Sequence, residues 1–225
     1  MNIRFFKRIW TFIISPQKAW QKVKEEKDNQ DLFSEYLYPL IGFTGLVVLA
    51  ASIYLNYYAQ VAEGAKPSTN MLIQNGLIEA AQVFFSFVGG FFLVQWLLIK
   101  LFPRMWTIDM DQVPEEDREA GRVRIDWLPK IIGYGLTLPL LAKIANTLCI
   151  CFVPEDYYFF VQATVLWSFF FYSTIQIWIG SHLLAPITRK GKTSFFIVAA
   201  ISILVLPQLI DILFTLLTHS FNGLF

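Results

Sequence analysis

Five apolar stretches of about twenty or more residues divide this 225-residue chain, and they limit its folds more than anything else in it. They run roughly Tyr36–Tyr57, Ile73–Phe102, Leu128–Phe152, Tyr158–Ala185 and Ser194–Thr218. A helix needs about 20 such residues to cross a hydrocarbon core of roughly 30 Å. In lipid the backbone must satisfy its own hydrogen bonds, and runs this long do so as helices. Composition agrees, with only 16% of residues charged and a mean hydropathy of +0.51, where soluble domains carry about a quarter charged residues. The expected fold is all-α: a polytopic membrane protein with a bundle of five transmembrane helices. That domain would occupy residues 31–225, after an interfacial amphipathic helix and a short cytoplasmic helix within residues 1–30. The second and fourth runs are long enough to tilt or overhang the bilayer.

Basic residues set the expected orientation. Seven lie before the first span (Arg4, Lys7, Arg8, Lys18, Lys22, Lys24 and Lys27) and six flank the gap between the second and third (Lys100, Arg104, Arg118, Arg122, Arg124 and Lys130). Three more, Arg189, Lys190 and Lys192, lie between the fourth and fifth. The opposite side has Lys66 alone, and Lys143 lies inside a span. Sixteen against one places the N-terminus and the loop 103–127 in the cytoplasm and the C-terminus outside.

The N-terminal segment does not read as a cleaved signal, because its apolar stretch after Arg8 is only about six residues long. Ile3, Phe6, Ile9, Trp10, Ile13 and Ile14 fall on one helical face with Arg4, Lys7, Arg8 and Thr11 opposite. The pattern predicts a helix in the membrane surface, with Phe6, Trp10 and Ile13 in the acyl boundary and Arg4, Lys7 and Arg8 beside anionic lipid. Ser15 and Pro16 then read as N-cap and first residue of a second helix reaching about Lys27. In the loop 103–127 the acidic run Asp109 to Glu119 lacks EF-hand spacing and reads as solvated.

Within the spans, charge is rare: Glu79, Lys143 and Asp211. At about 1.5 Å per residue all three lie roughly 9 to 14 Å below the outer surface. Each has a polar neighbour three positions away on the same helical face, Gln82, Asn146 and Gln208 respectively. An ionisable side chain in a membrane costs at least about 2.5 kcal/mol and normally faces a partner inside the bundle. Lys143 is therefore expected to neutralise Glu79 or Asp211 or both, either as a structural network or as a proton or solute site. Pro139 and Pro207 each precede a charge by four residues and are expected to kink their helices there. "LTLPLLAKIANTL" and "LVLPQLIDILFTL" agree at seven of thirteen positions, a weak hint of an internal repeat.

Three further stretches stand out: "SPQKAW" (Ser15–Trp20), "EYLYP" (Glu35–Pro39) and "GYGLTLP" (Gly133–Pro139). In these the chain resembles the Yip1-domain family of five-span membrane proteins, and "SPQKAW" resembles the start of its compact bacterial members. The resemblance implies a cytoplasmic N-terminus and an external C-terminus, and it transfers no catalytic residues. Eukaryotic relatives work in Golgi and ER trafficking and associate with Rab GTPases and with one another. "EYLYP" departs from their motif and their long cytosolic N-terminal region is lacking, which speaks against Rab-type GTPase binding. A bacterial inner-membrane protein fits better.

Function classes narrow accordingly. A net charge of +1 and a pI near 7.7 speak against a nucleic-acid partner. No Walker loop, HExxH or GxSxG occurs, His182 and His219 are isolated, and Cys149 and Cys151 point to different faces of a helix. No enzyme activity, cofactor or metal site is expected. The first expectation is a scaffold or membrane-organising factor acting through the lipid bilayer, through self-association or through other membrane proteins. The alternative is a small transporter or ion-coupled permease built on the Glu79, Lys143 and Asp211 cluster.

Overall fold

The computed structural model describes residues 3–26, 29–113, 115 and 125–222. The later part of the acidic run, from residue 116 on, lies outside the described residues with Arg118, Arg122 and Arg124, as do Lys27 and the last three residues of the tail. Two short helices come first, α1 (Ile3–Ile14) and α2 (Pro16–Glu25). A π-helical segment at Leu32–Leu37 leads into α3 (Tyr38–Ala62), followed by α4 (Thr69–Met105). Then come α5 (Trp127–Gly135), α6 (Thr137–Phe152), α7 (Glu155–Leu184) and α8 (Arg189–Asn222). Five of the resulting helical runs are long and apolar enough to cross a membrane. Among the described residues no strand forms, and the sole β pairing is an isolated antiparallel bridge between Ile108 and Ile187.

The bundle centres on α3, α4 and α8. The most extensive helix contact is α3 against α4, then α4 against α8, while α6 packs on α7 and α3. Small residues allow the close approaches that hold helices together in lipid, where no hydrophobic gradient does so. At Gly90 of α4 a Cβ would lie 2.7 Å from Cγ of Pro207, so the proline ring of α8 sits directly on that glycine. At Gly133 a Cβ would lie 2.8 Å from a methyl group of Leu32, bringing α5 onto the π-helical segment.

The two prolines act differently. The third span is broken by a turn at Leu136, and Pro139 falls in the first turn of α6, where its missing N–H costs no helical hydrogen bond. Pro207 lies inside α8, which runs as one helix from Arg189 to Asn222.

The N-terminal helices depart from expectation. Helix α1 is docked on the bundle: Phe5, Ile9 and Phe12 are buried in the common core, Ile13 packs at its edge, and Phe6, Trp10 and Ile14 are exposed. Arg4, Lys7, Arg8 and Thr11 form one polar face of α1, the other eight residues are apolar, and aromatic partners decide which part of that apolar surface turns inward. Ser15 occupies the N-cap position of α2, yet its hydroxyl makes no capping bond. Helix α2 ends at Glu25, and the buried Lys130 closes it by donating to the carbonyls of Val23 (3.4 Å) and Glu26. A cation is well placed at a helix C-terminus, where carbonyls lack partners.

Candidate functional site

Two polar centres lie in the bundle, in opposite halves. The first joins three helices around Asp211. Lys143 Nζ of α6 lies 3.1 Å from Asp211 Oδ2 of α8. From α4, Gln82 Nε2 and Ser86 Oγ reach Asp211 Oδ1 at 2.9 and 3.3 Å. The Gln82 amide also stands 3.1 Å from the Asp211 carbonyl and 2.7 Å from Thr215 Oγ1, so its two protons are shared among three acceptors. Spacing explains the assembly: Gln82 and Ser86 are i and i+4 on α4, and Asp211 and Thr215 are i and i+4 on α8. Ser86 and Thr215 were not legible as members, because a hydroxyl in a membrane helix usually bonds its own preceding carbonyl, as Thr215 also does to Asp211 at 2.9 Å.

Of the six residues expected here, the structure brings Gln82, Lys143 and Asp211 into direct contact. Glu79 is exposed and has no hydrogen bond or ion pair among the described residues. The physical reason is a shortage of cations at this depth: Lys100 and Lys130 lie near the ends of their spans, and Asp211 already holds Lys143. Asn146 keeps a buried Oδ1 with no partner among the described residues, and Gln208 is exposed. Both line a cavity of about 700 Å³ between α6, α7 and α8, whose walls also include Lys143, Asp211, Pro139, Gln162 and Ser173. The ion pair is therefore open to a cavity.

The second centre is aromatic. The Tyr36 ring of the π-helical segment lies 4.7 Å from that of Tyr134 in α5, centroid to centroid. Phe12 of α1 stacks on Tyr134 at 4.8 Å, and Trp20 of α2 meets it edge-on at 5.9 Å. Arg8 lies over this pair, its guanidinium 5.0 Å from the Tyr134 ring and 5.4 Å from Tyr36. Glu26 pairs with Arg8 and accepts from the Tyr134 hydroxyl at 3.1 Å. A cation over an aromatic face is worth about 2 kcal/mol when desolvated. Arg8 was expected beside anionic lipid; here it is a structural cation, turned inward because two ring faces and a carboxylate outcompete the surface. Lys7 is exposed, and the side chain of Arg4 lies outside the described residues.

Polar bonds tie this hub to its surroundings. The Tyr36 and Thr137 hydroxyls are 2.7 Å apart, and Trp20 Nε1 donates to Gln176 Oε1 at 3.1 Å. The Gln176 amide donates to the Phe12 carbonyl, and the Tyr172 hydroxyl donates to that of Ile13. The stretches "SPQKAW", "EYLYP" and "GYGLTLP" thus meet in space through Trp20, Tyr36, Tyr134 and Thr137.

Five apolar helices closed by two buried polar centres define a polytopic helical membrane protein. Within that class the chain belongs to the Yip1-domain family, whose model matches residues 10–214. The match takes in Trp20, Tyr36, Tyr134, Lys143 and Asp211 and stops just short of Thr215. No curated protein and no solved structure matches the chain.

Proposed function

We propose that this protein is a non-enzymatic membrane-organising factor that acts on protein or lipid partners from the outside of its bundle. It would sit in a bacterial inner membrane with its N-terminus in the cytoplasm. The observation that carries the reading is the state of α7. Only 6% of its most apolar stretch is buried inside the bundle, against 28% or more for each other span. The uncovered face is aromatic, with Phe160, Trp167, Phe170 and Phe171 all exposed. Rigid aromatic side chains supply large contact area at small entropic cost, the property a lateral contact surface needs. The permease reading has the cavity in its favour, but it relied on three charges and Glu79 stands apart from the other two.

The test is a benzophenone photocrosslinker carried on Phe171→Cys, in a chain whose Cys149 and Cys151 have been replaced by serine. Irradiation in native membranes is expected to give a discrete adduct, at twice the chain's mass for self-association or at another mass for a different membrane protein. Lipid adducts alone from Phe160→Cys, Trp167→Cys and Phe171→Cys would remove protein partners from the proposal.

The orientation has its own check. With the same cysteine-free background, Ser68→Cys is expected to react with a membrane-impermeant maleimide in intact cells, and Lys190→Cys only after lysis. The reverse pattern would overturn an orientation argued from a sixteen-to-one bias in basic residues.

A further inference from the structure

Lys143 is only partly used by the protein. Its ammonium carries three protons, and among the described residues its bond goes to Asp211 Oδ2 alone. Asp211 is better served, with donors from Gln82 and Ser86 on one oxygen and from Lys143 on the other. The unspent capacity facing the cavity is therefore that of a cation with free donors. An oxyanion on the Lys143 side of the pair satisfies it, and a neutral group would gain less. Asn146 stands in the same wall with its Oδ1 unpartnered among the described residues; that oxygen is an acceptor, so an anion in the cavity is held by Lys143 and not by it.

The α7 wall is mostly apolar. Phe159, Leu166, Trp167 and Phe170 line the cavity there, with Gln162 and Ser173 as its polar members. Phe159 and Trp167 do so while 80% and 60% exposed, so the cavity opens sideways onto the surface that faces acyl chains. Its volume of about 700 Å³ falls within the roughly 300–1,000 Å³ typical of small-molecule sites. An apolar slot with a lateral mouth and one underused ammonium matches a ligand with a chain at one end and a charge at the other.

We propose that this cavity binds an acyl amphiphile, a single apolar chain ending in a carboxylate or phosphate. The oxyanion rests on Lys143 Nζ and the chain lies along the aromatic wall of α7. The site stands whether or not α7 also pairs with a protein partner, so the crosslinking result above does not decide it.

The test uses the purified full-length chain in non-ionic detergent, titrated with palmitate, lysophosphatidate, hexadecanol and inorganic phosphate and read by native mass spectrometry. Palmitate, lysophosphatidate or both are expected to bind one per chain, at least about tenfold more tightly than hexadecanol, as a charge-assisted bond requires. Binding of one and not the other assigns the headgroup as carboxylate or phosphate. Lys143→Gln should reduce the anionic lipids to the level of hexadecanol. Ala163→Phe fills the cavity without touching the ion pair and should weaken every chain-bearing ligand, so it decides the question if Lys143→Gln does not fold. Equal affinity for hexadecanol, inorganic phosphate binding as tightly as the lipids, or lipid binding unchanged by Ala163→Phe would each overturn the proposal.

Discussion

Lys143→Met is expected to destabilise the detergent-solubilised protein by about 3 kcal/mol, the lower end of the cost of breaking a buried ion pair. The lower end applies because the pair borders the cavity, with side chains 29% (Lys143) and 22% (Asp211) exposed. Removing the cation leaves the Asp211 carboxylate held by Gln82 and Ser86 with no counter-charge at membrane depth. Adding Asp211→Asn should restore part of the loss: an asparagine oxygen still accepts from Gln82 and Ser86, and the uncompensated charge is gone. Adding Glu79→Gln should restore nothing, since Glu79 has no described bond to either residue. Thermal unfolding of the three single and two double variants reads all of this. Rescue by Glu79→Gln equal to that by Asp211→Asn would show that the two carboxylates share Lys143. A neutral Lys143→Met would show that its ammonium reaches solvent or headgroups unaided.

That cycle marks how far the polar cluster could be read from the chain. Shared depth is a strong constraint, because a charge in lipid needs a partner at its own level, and depth follows from counting residues along a helix. It brought Lys143 and Asp211 together from positions 68 residues apart. Rotation about the helix axis is set by which neighbours pack where, and depth says nothing of it. Glu79 has the right depth, yet its side chain stands exposed. Gln82, one turn on, meets Asp211. The cavity was illegible for a related reason: it needs three helices to stand apart at one level, and no local pattern encodes a gap.

Helix α1 shows the same limit from the other side. Its periodicity correctly indicated a helix, and Phe6 and Trp10, expected in the acyl boundary, stand exposed on it. It did not reveal that Phe5, Ile9 and Phe12 form a second stripe with better partners. Aromatic rings supplied by Tyr36 and Tyr134, each more than twenty residues away in sequence, decided the docking face. Arg8 followed its helix inward, and Glu26 made that tolerable by neutralising it.

Trp20→Ala should have the larger effect on the N-terminal half of the molecule. The side chain is fully buried, and α7 approaches it so closely that a Cβ on Gly180 would lie 2.6 Å from Trp20 Cζ2. Its ring also meets Phe12 edge-on at 5.4 Å, so one residue connects α1, α2, α5 and α7. Truncating a buried tryptophan costs about 3–5 kcal/mol, and here Gln176 loses the donor to its side-chain oxygen as well. The expected result is that α1 and α2 come off the bundle while the five spans stay folded. Trypsin should then cut at Lys18, Lys22 and Lys24, which already face outward but are protected by the helix they belong to. Gly180→Ala should reproduce the cleavage with Trp20 intact, because the added methyl group takes the space of the indole. Trp20→Phe should be milder, keeping most of the packing and losing the bond to Gln176. If Trp20→Ala leaves both the melting temperature and the tryptic pattern unchanged, the hub does not hold the N-terminal helices. Their anchorage would then rest on Arg8, Glu26 and Lys130.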